Sequence, residues 1–149
     1  MNITNFHAIA HRLYLLNIPF LPKVIYYIQF LLFNSSLPAQ TKIGKNTKFA
    51  YGGIGCVIHE RTVIGENCII GQGITIGGKS KIKEVPVIGD YVYIGAGARI
   101  LGNVTIGDNV VIGANAVVIH NVPSNCAVAG IPAKIVRTVE PNIRMEDYV

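Results

Sequence analysis

The chain has 149 residues, only 14% of them charged, with a net charge of +5 and 50% hydrophobic residues, among them 23 Ile and 16 Val beside 16 Gly. So apolar a composition excludes a disordered segment, and the weight of Ile and Val over Leu, Ala, Glu and Lys excludes an ordinary helical bundle. The length suits one domain, and thinly spread basic residues argue against a nucleic-acid partner while suiting a small anionic cofactor or a phosphorylated sugar.

Residues 13–33 are strongly apolar, but Pro19, Pro22 and Lys23 divide them into pieces of about ten residues. A membrane-spanning helix needs about 20 apolar residues in a row. Two short helices are therefore expected, over 3–17 and 22–33. They pack on the rest of the protein, with peripheral membrane contact through residues 13–33 as the other reading. His7 and His11 stand four apart on the first helix without a third ligand nearby, so they read as helix surface and no metal site is expected. Cys56, Cys68 and Cys126 are odd in number and lack metal-ligand spacing. With no secretory signal, they read as reduced thiols of a cytoplasmic protein.

From residue 37 the chain has an internal period. Aliphatic residues recur at every sixth position: Ile58, Ile64, Ile70, Ile76, Ile82, Ile88, Ile94, Ile100, Ile106, Ile112 and Val118. Leu37, Ile43 and Phe49 keep the phase upstream, and the nine-residue step from Phe49 to Ile58 implies about three residues looped out near Tyr51–Gly53. Six is neither a helical multiple nor plain alternation. It fits a short strand, a turn and a repeat, with three such units closing one triangular coil. Stacked coils bury each aliphatic residue above another. Glycine after the ladder residue, as at Gly65, Gly95 and Gly107, allows positive φ or close backbone approach, and Asn67 and Asn109 are further turn residues. The expected organisation is a helical segment over 1–36, an all-β parallel β-helix of about five coils over 37–123, and a tail over 124–149.

Longer motifs carry a resemblance. Ile70-Gly71-Gln72-Gly73-Ile74-Thr75-Ile76-Gly77-Gly78, Ile94-Gly95-Ala96-Gly97-Ala98-Arg99-Ile100-Leu101-Gly102 and Ala129-Gly130-Ile131-Pro132-Ala133-Lys134 resemble the hexapeptide-repeat acyltransferases. Within them the chain is similar to the serine acetyltransferase branch, and most of all to short sugar and polysaccharide O-acetyltransferases. The resemblance implies a left-handed β-helix, acetyl-CoA as co-substrate without a metal, and homotrimers with active sites between subunits. The Asp-His pair of the serine enzymes aligns with Tyr51-Gly52, and a second histidine of that branch aligns with Val85. The implied acceptor is therefore a sugar or nucleotide sugar.

Acetyl transfer to a hydroxyl needs a base, oxyanion donors and a cofactor groove. A neutral imidazole is the usual base near pH 7. His59 is the leading candidate, because it fills a position the repeat otherwise gives to Gly and follows the looped-out segment. Its I-H-x-x-x-x-I-G context resembles sugar O-acetyltransferases. Tyr51, Glu60 and Gln72 are candidates for orienting substrate or base. By resemblance, Ala96 and Ala114 line the pantetheine groove, with Asn115, Ile119 and His120 along the same edge. Lys134 and Arg137 match the basic pair that meets the nucleotide phosphates, as charge-assisted contacts would. Lys79, Lys81 and Lys83 read as a solvated loop before Pro86, or as contacts to an anionic acceptor. The expected function is direct acetyl transfer from acetyl-CoA to a sugar hydroxyl in surface polysaccharide biosynthesis, by a cytoplasmic enzyme. The alternatives are serine O-acetylation, amino-sugar N-acetylation and a non-catalytic hexapeptide-repeat scaffold.

Overall fold

The computed structural model describes residues 1–140. Residues 141–149, the end of the expected tail, lie outside the described part. The first two elements are helices α1 (Ile3–Leu15) and α2 (Leu21–Phe33). Asn2 caps α1 by accepting from the Thr4 amide, and a proline in the first turn of α2 is where its missing N–H does no harm.

Twelve short strands then wind into four complete coils. The first holds β1 (Lys42–Ile43), β2 (Lys48–Phe49) and β3 (Val57–Ile58). The second holds β4 (Val63–Ile64), β5 (Ile69–Ile70) and β6 (Thr75–Gly77). The third holds β7 (Val87–Ile88), β8 (Tyr93–Ile94) and β9 (Arg99–Leu101), and the fourth β10 (Thr105–Ile106), β11 (Val111–Ile112) and β12 (Val117–Val118). Strand β13 (Cys126–Ala129) adds one more rung and β14 (Lys134–Thr138) folds back on it antiparallel. The three faces read β1-β4-β7-β10, β2-β5-β8-β11-β13-β14 and β3-β6-β9-β12. The fold is a left-handed parallel β-helix. It has four full coils rather than about five, because the looped segment before β3 lengthens the first coil and the loop between β6 and β7 takes up a whole repeat unit.

The ladder explains why two-residue strands hold. Ile58, Ile76, Ile100 and Val118 pair in register on the third face, and Phe49, Ile70, Ile94, Ile112 and Val128 on the second. All are buried in one continuous core. Backbone groups are satisfied by the next coil, as in Gly71 N–H to the Ile94 carbonyl at 2.7 Å.

Two expectations are corrected here. Ile82 is not a rung: it is 40% exposed in the loop between β6 and β7. Ile58 pairs with Ile76, three repeat units on, but Ile76 pairs with Ile100, four repeat units on. The loop is one hexapeptide long in excess, so it keeps the phase while leaving the ladder. The glycines after ladder residues also have a narrower role. At Gly95 a Cβ would stand 2.8 Å from the Ile112 carbonyl oxygen, so close approach of coils is what excludes a side chain there. Positive φ falls two residues later, at Asn46, Asn67, Gly73, Tyr91, Gly97, Asn109, Asn115 and Asn125.

The helices close the open lower end of the ladder, which would otherwise be an edge inviting further pairing. Ile3, Phe33 and Leu37 join the core under the first coil. Ser35 Oγ donates to the Gly53 carbonyl at 2.7 Å and accepts from the Cys56 amide at 3.0 Å. This ties the looped segment Ala50–Gly53 to the helices. His7 and His11 are not helix surface. His7 is 4% exposed and stacks on His11, whose Nδ1 donates to the Ala39 carbonyl at 2.6 Å, because this side of α1 faces the first coil.

Candidate active site

The prism has three edges where faces meet, and the candidate residues fall on two of them. The edge between the first and second faces is structural. Asp90 Oδ1 accepts from the Glu66 amide, Asp108 Oδ1 from the Asp90 amide, and Ser124 Oγ from the Asp108 amide, at 2.7–2.9 Å. These acidic side chains stitch coils together and are spent on backbone N–H groups.

The edge between the second and third faces carries Ile54, Gln72, Ala96 and Ala114 in successive coils, with Tyr51 in the looped segment that leads into Ile54. Backbone bonds stack them: Gly97 N–H to the Gln72 carbonyl at 2.9 Å and Asn115 N–H to the Ala96 carbonyl at 2.8 Å. Small residues leave this edge shallow, and a Cβ at Gly73 would meet nothing within 4 Å. Such an edge can take a narrow chain lying along it. Tyr51 is 80% exposed and held at φ 49°. Arg99 reaches this edge as well, with no motif in the sequence that marks it. It is the charged outward residue among the strands of the third face, and its guanidinium donates to the Gly73 carbonyl at this same edge. Its signal was its place: the residue before a ladder Ile points outward.

His59 and Glu60 stand on the other border of the third face, where the chain turns into the first. The Ile58–Ile76 and Ile100–Val118 pairings put Gly77, Leu101 and Ile119 in the same stack as His59. Side chains are therefore ordinary at this corner, and even Gly77 has open space where a Cβ would be. The reading of His59 as a bulky residue in a tight glycine slot is corrected. Half-buried, His59 accepts at Nδ1 from the Arg61 amide at 3.1 Å. A neutral ring that accepts at Nδ1 carries its proton on Nε2, so in this geometry it presents a donor to its surroundings.

Ile119 and His120 are also corrected in place. They follow β12, whereas Ala114 and Asn115 precede it, so they lie on the opposite border of the third face from Ala96 and Ala114. They stand three coils from His59, roughly 14 Å at the usual spacing of paired strands. The loop with Lys79, Lys81 and Lys83 leaves the β-helix at this same border, and all three lysines are exposed. Lys134 opens β14 and Arg137 is its last residue but one; they stand opposite Ala129 and Ala127 and are exposed. Among the described residues, no group of three or more His, Cys, Asp or Glu is arranged to hold a metal. Cys56, Cys68 and Cys126 are free and buried, and burial pushes the Cys56 and Cys68 thiols up.

Residues 86–120 match the protein family described as bacterial transferase hexapeptide (six repeats). The chain is 39% identical over 132 residues to a serine acetyltransferase of Synechococcus elongatus, covering 87% of this chain and 54% of that protein. It is 37% identical over 132 residues to the serine acetyltransferase of Bacillus pumilus, covering 87% and 60%. Among solved structures, it superposes with a TM-score of 0.88 and 31% identity on the serine acetyltransferase of Brucella abortus in complex with coenzyme A, covering 93% of this chain and 56% of that one. For the Neisseria gonorrhoeae serine acetyltransferase the TM-score is 0.85 at 37% identity, covering 92% and 54%. The chain thus spans a little over half the length of these relatives. Their names give the serine reading support that surface polysaccharide biosynthesis does not receive.

Proposed function

The chain carries the bacterial transferase hexapeptide repeat on a left-handed β-helix, and on that premise we propose that it transfers acetyl from acetyl-CoA to a hydroxyl, with L-serine as the acceptor its relatives favour. The observation that carries this reading is the similarity over 93% of the chain, at a TM-score of 0.88, to a serine acetyltransferase in complex with coenzyme A. The small-residue edge through Ala96 and Ala114 suits a pantetheine arm, and Lys134 and Arg137 suit the nucleotide phosphates.

The acceptor hydroxyl attacks the thioester carbonyl, a tetrahedral intermediate forms, and the CoA thiolate leaves. No covalent enzyme intermediate is needed. His59 is the proposed base. To take the hydroxyl proton it must release the Arg61 amide from Nδ1 or exchange to the other tautomer, and acceptor binding at this border is the event that would drive the change. His59 and the Ala96–Ala114 edge border opposite sides of one face. A homotrimer that sets one copy's His59 border against a neighbour's cofactor edge would complete the site.

A second reading is a sugar hydroxyl as acceptor. Tyr51-Gly52 and Val85 stand where the resemblance to serine enzymes expects histidines, and the lysine loop borders His59. Thiol release from acetyl-CoA, measured with L-serine and with a panel of sugars and nucleotide sugars, separates the two. Turnover with L-serine supports the first reading, and turnover with sugars alone replaces it by the second. Turnover with neither contradicts both. His59→Ala is expected to lower kcat about 10²- to 10⁴-fold, and unaltered turnover would remove the base assignment.

A further inference from the structure

The +5 charge of the chain is confined to one end of it. Residues 1–59 contain Arg12, Lys23, Lys42, Lys45 and Lys48 and neither Asp nor Glu, whereas from Glu60 onward eight basic and eight acidic residues cancel. The same end exposes apolar side chains. Helix α2 buries Gln29 and Phe33 and leaves Val24, Tyr27, Ile28 and Leu31 in solvent, with Leu31 82% exposed. Phe20, at the tip between the helices, is 83% exposed. The basic and apolar surfaces adjoin: Lys23 shares one depression with Ile18 and Phe20, Arg12 another with Leu15, and Lys42 a third with Tyr14, with Glu60 the acid that lines the first and the third.

Each helix has 13 residues, about 20 Å of α-helix against a hydrocarbon core of about 30 Å. No helix among the described residues is long and apolar enough to cross a membrane. The geometry instead suits a helix pair lying in the interface, with apolar side chains down and cations at headgroup level. A second copy is the less suitable occupant. A two-fold contact through this end would set one net-basic surface, five cations beside Glu60, against another, and like charges oppose that.

We propose that the α1–α2 end docks the chain peripherally on an anionic lipid surface, with Phe20 and Leu31 inserted and Arg12, Lys23, Lys42, Lys45 and Lys48 facing the headgroups. This does not depend on which acceptor the chain acetylates. The test is co-sedimentation of the full chain with phosphatidylcholine vesicles, with and without phosphatidylglycerol. Binding is expected with phosphatidylglycerol and to fall several-fold as salt rises. Phe20→Ser/Leu31→Ser is expected to lose binding at least about tenfold while keeping its circular dichroism, since both side chains are exposed. Lys42→Gln/Lys45→Gln is expected to lose the preference for anionic vesicles. A chain that stays in solution with both vesicles, or a serine variant that pellets like the parent, overturns the proposal. So does light scattering in which the serine variant breaks up an assembly, because that assigns the face to a second copy.

Discussion

Tyr91 occupies the turn position that its counterparts give to Asn or Gly, and it does so at φ 55°. The left-handed region costs an ordinary L-residue roughly 1 kcal/mol or more. Tyr91→Asn is therefore expected to stabilise the chain by about 0.5–1 kcal/mol, read as a rise in the urea midpoint at unchanged slope. Gly95→Ala acts in the opposite direction. Its Cβ would press on the backbone of the next coil, where overpacking costs about 1–3 kcal/mol. His7 adds a pH dependence. Its pKa is lowered from the ordinary 6.5 to about 4, first by burial and then by the neighbouring His11. A histidine that folds neutral contributes stability fully present above its unfolded pKa and lost as pH falls toward the folded one. Stability should thus fall between pH 6.5 and 4, by on the order of 3 kcal/mol at the low end. His7→Leu should flatten urea-unfolding curves across that window, and an unchanged pH slope would contradict the assignment.

Among the elements, the ladder was legible in the sequence because every rung must bury a side chain in register with the one below, so the requirement repeats in the chain. The three-residue excess near Tyr51 was legible for the same reason, since it breaks the phase. The lysine loop was not: an insertion of one hexapeptide preserves the phase, and Ile82 passes for a rung. The burial of His7 was hidden too, because which side of α1 meets the first coil depends on tertiary packing. The border that carries Ile119 and His120 was not legible, because a period assigns a residue to a coil more readily than to a border, and β12 is only two residues wide. The loop reading has a direct check. Deleting residues 79–84 restores a coil of three repeat units, and since loop length has only a weak entropic effect, Tm is expected to move little. Collapse of the fold would mean that Ile82 is needed in the ladder after all.

For the whole molecule, the three edges do different work. One is tied by Asp90 and Asp108, one is shallow and lined by Ala96 and Ala114, and one carries His59 beside the lysine loop. The helices plug the lower end, whereas at the upper end β14 continues the second face as its exposed outermost strand among the described residues. Lys134 and Arg137, carried by β14, link this edge strand to the proposed cofactor. Lys134→Ala/Arg137→Ala is expected to weaken CoA binding about tenfold, near 1.4 kcal/mol, and to weaken dephospho-CoA binding less, if the pair meets the 3′-phosphate.

The proposed cofactor edge is the part on which the functional account rests, and calorimetric titration of CoA tests it most directly. Saturable binding to the parent chain is expected. It should be abolished in Ala96→Tyr/Ala114→Tyr, whose new side chains would fill the shallow edge while the ladder beneath keeps its circular dichroism. A parent chain that binds no CoA, or a tyrosine variant that binds it unchanged, would contradict the account and favour a scaffold built on the same repeat.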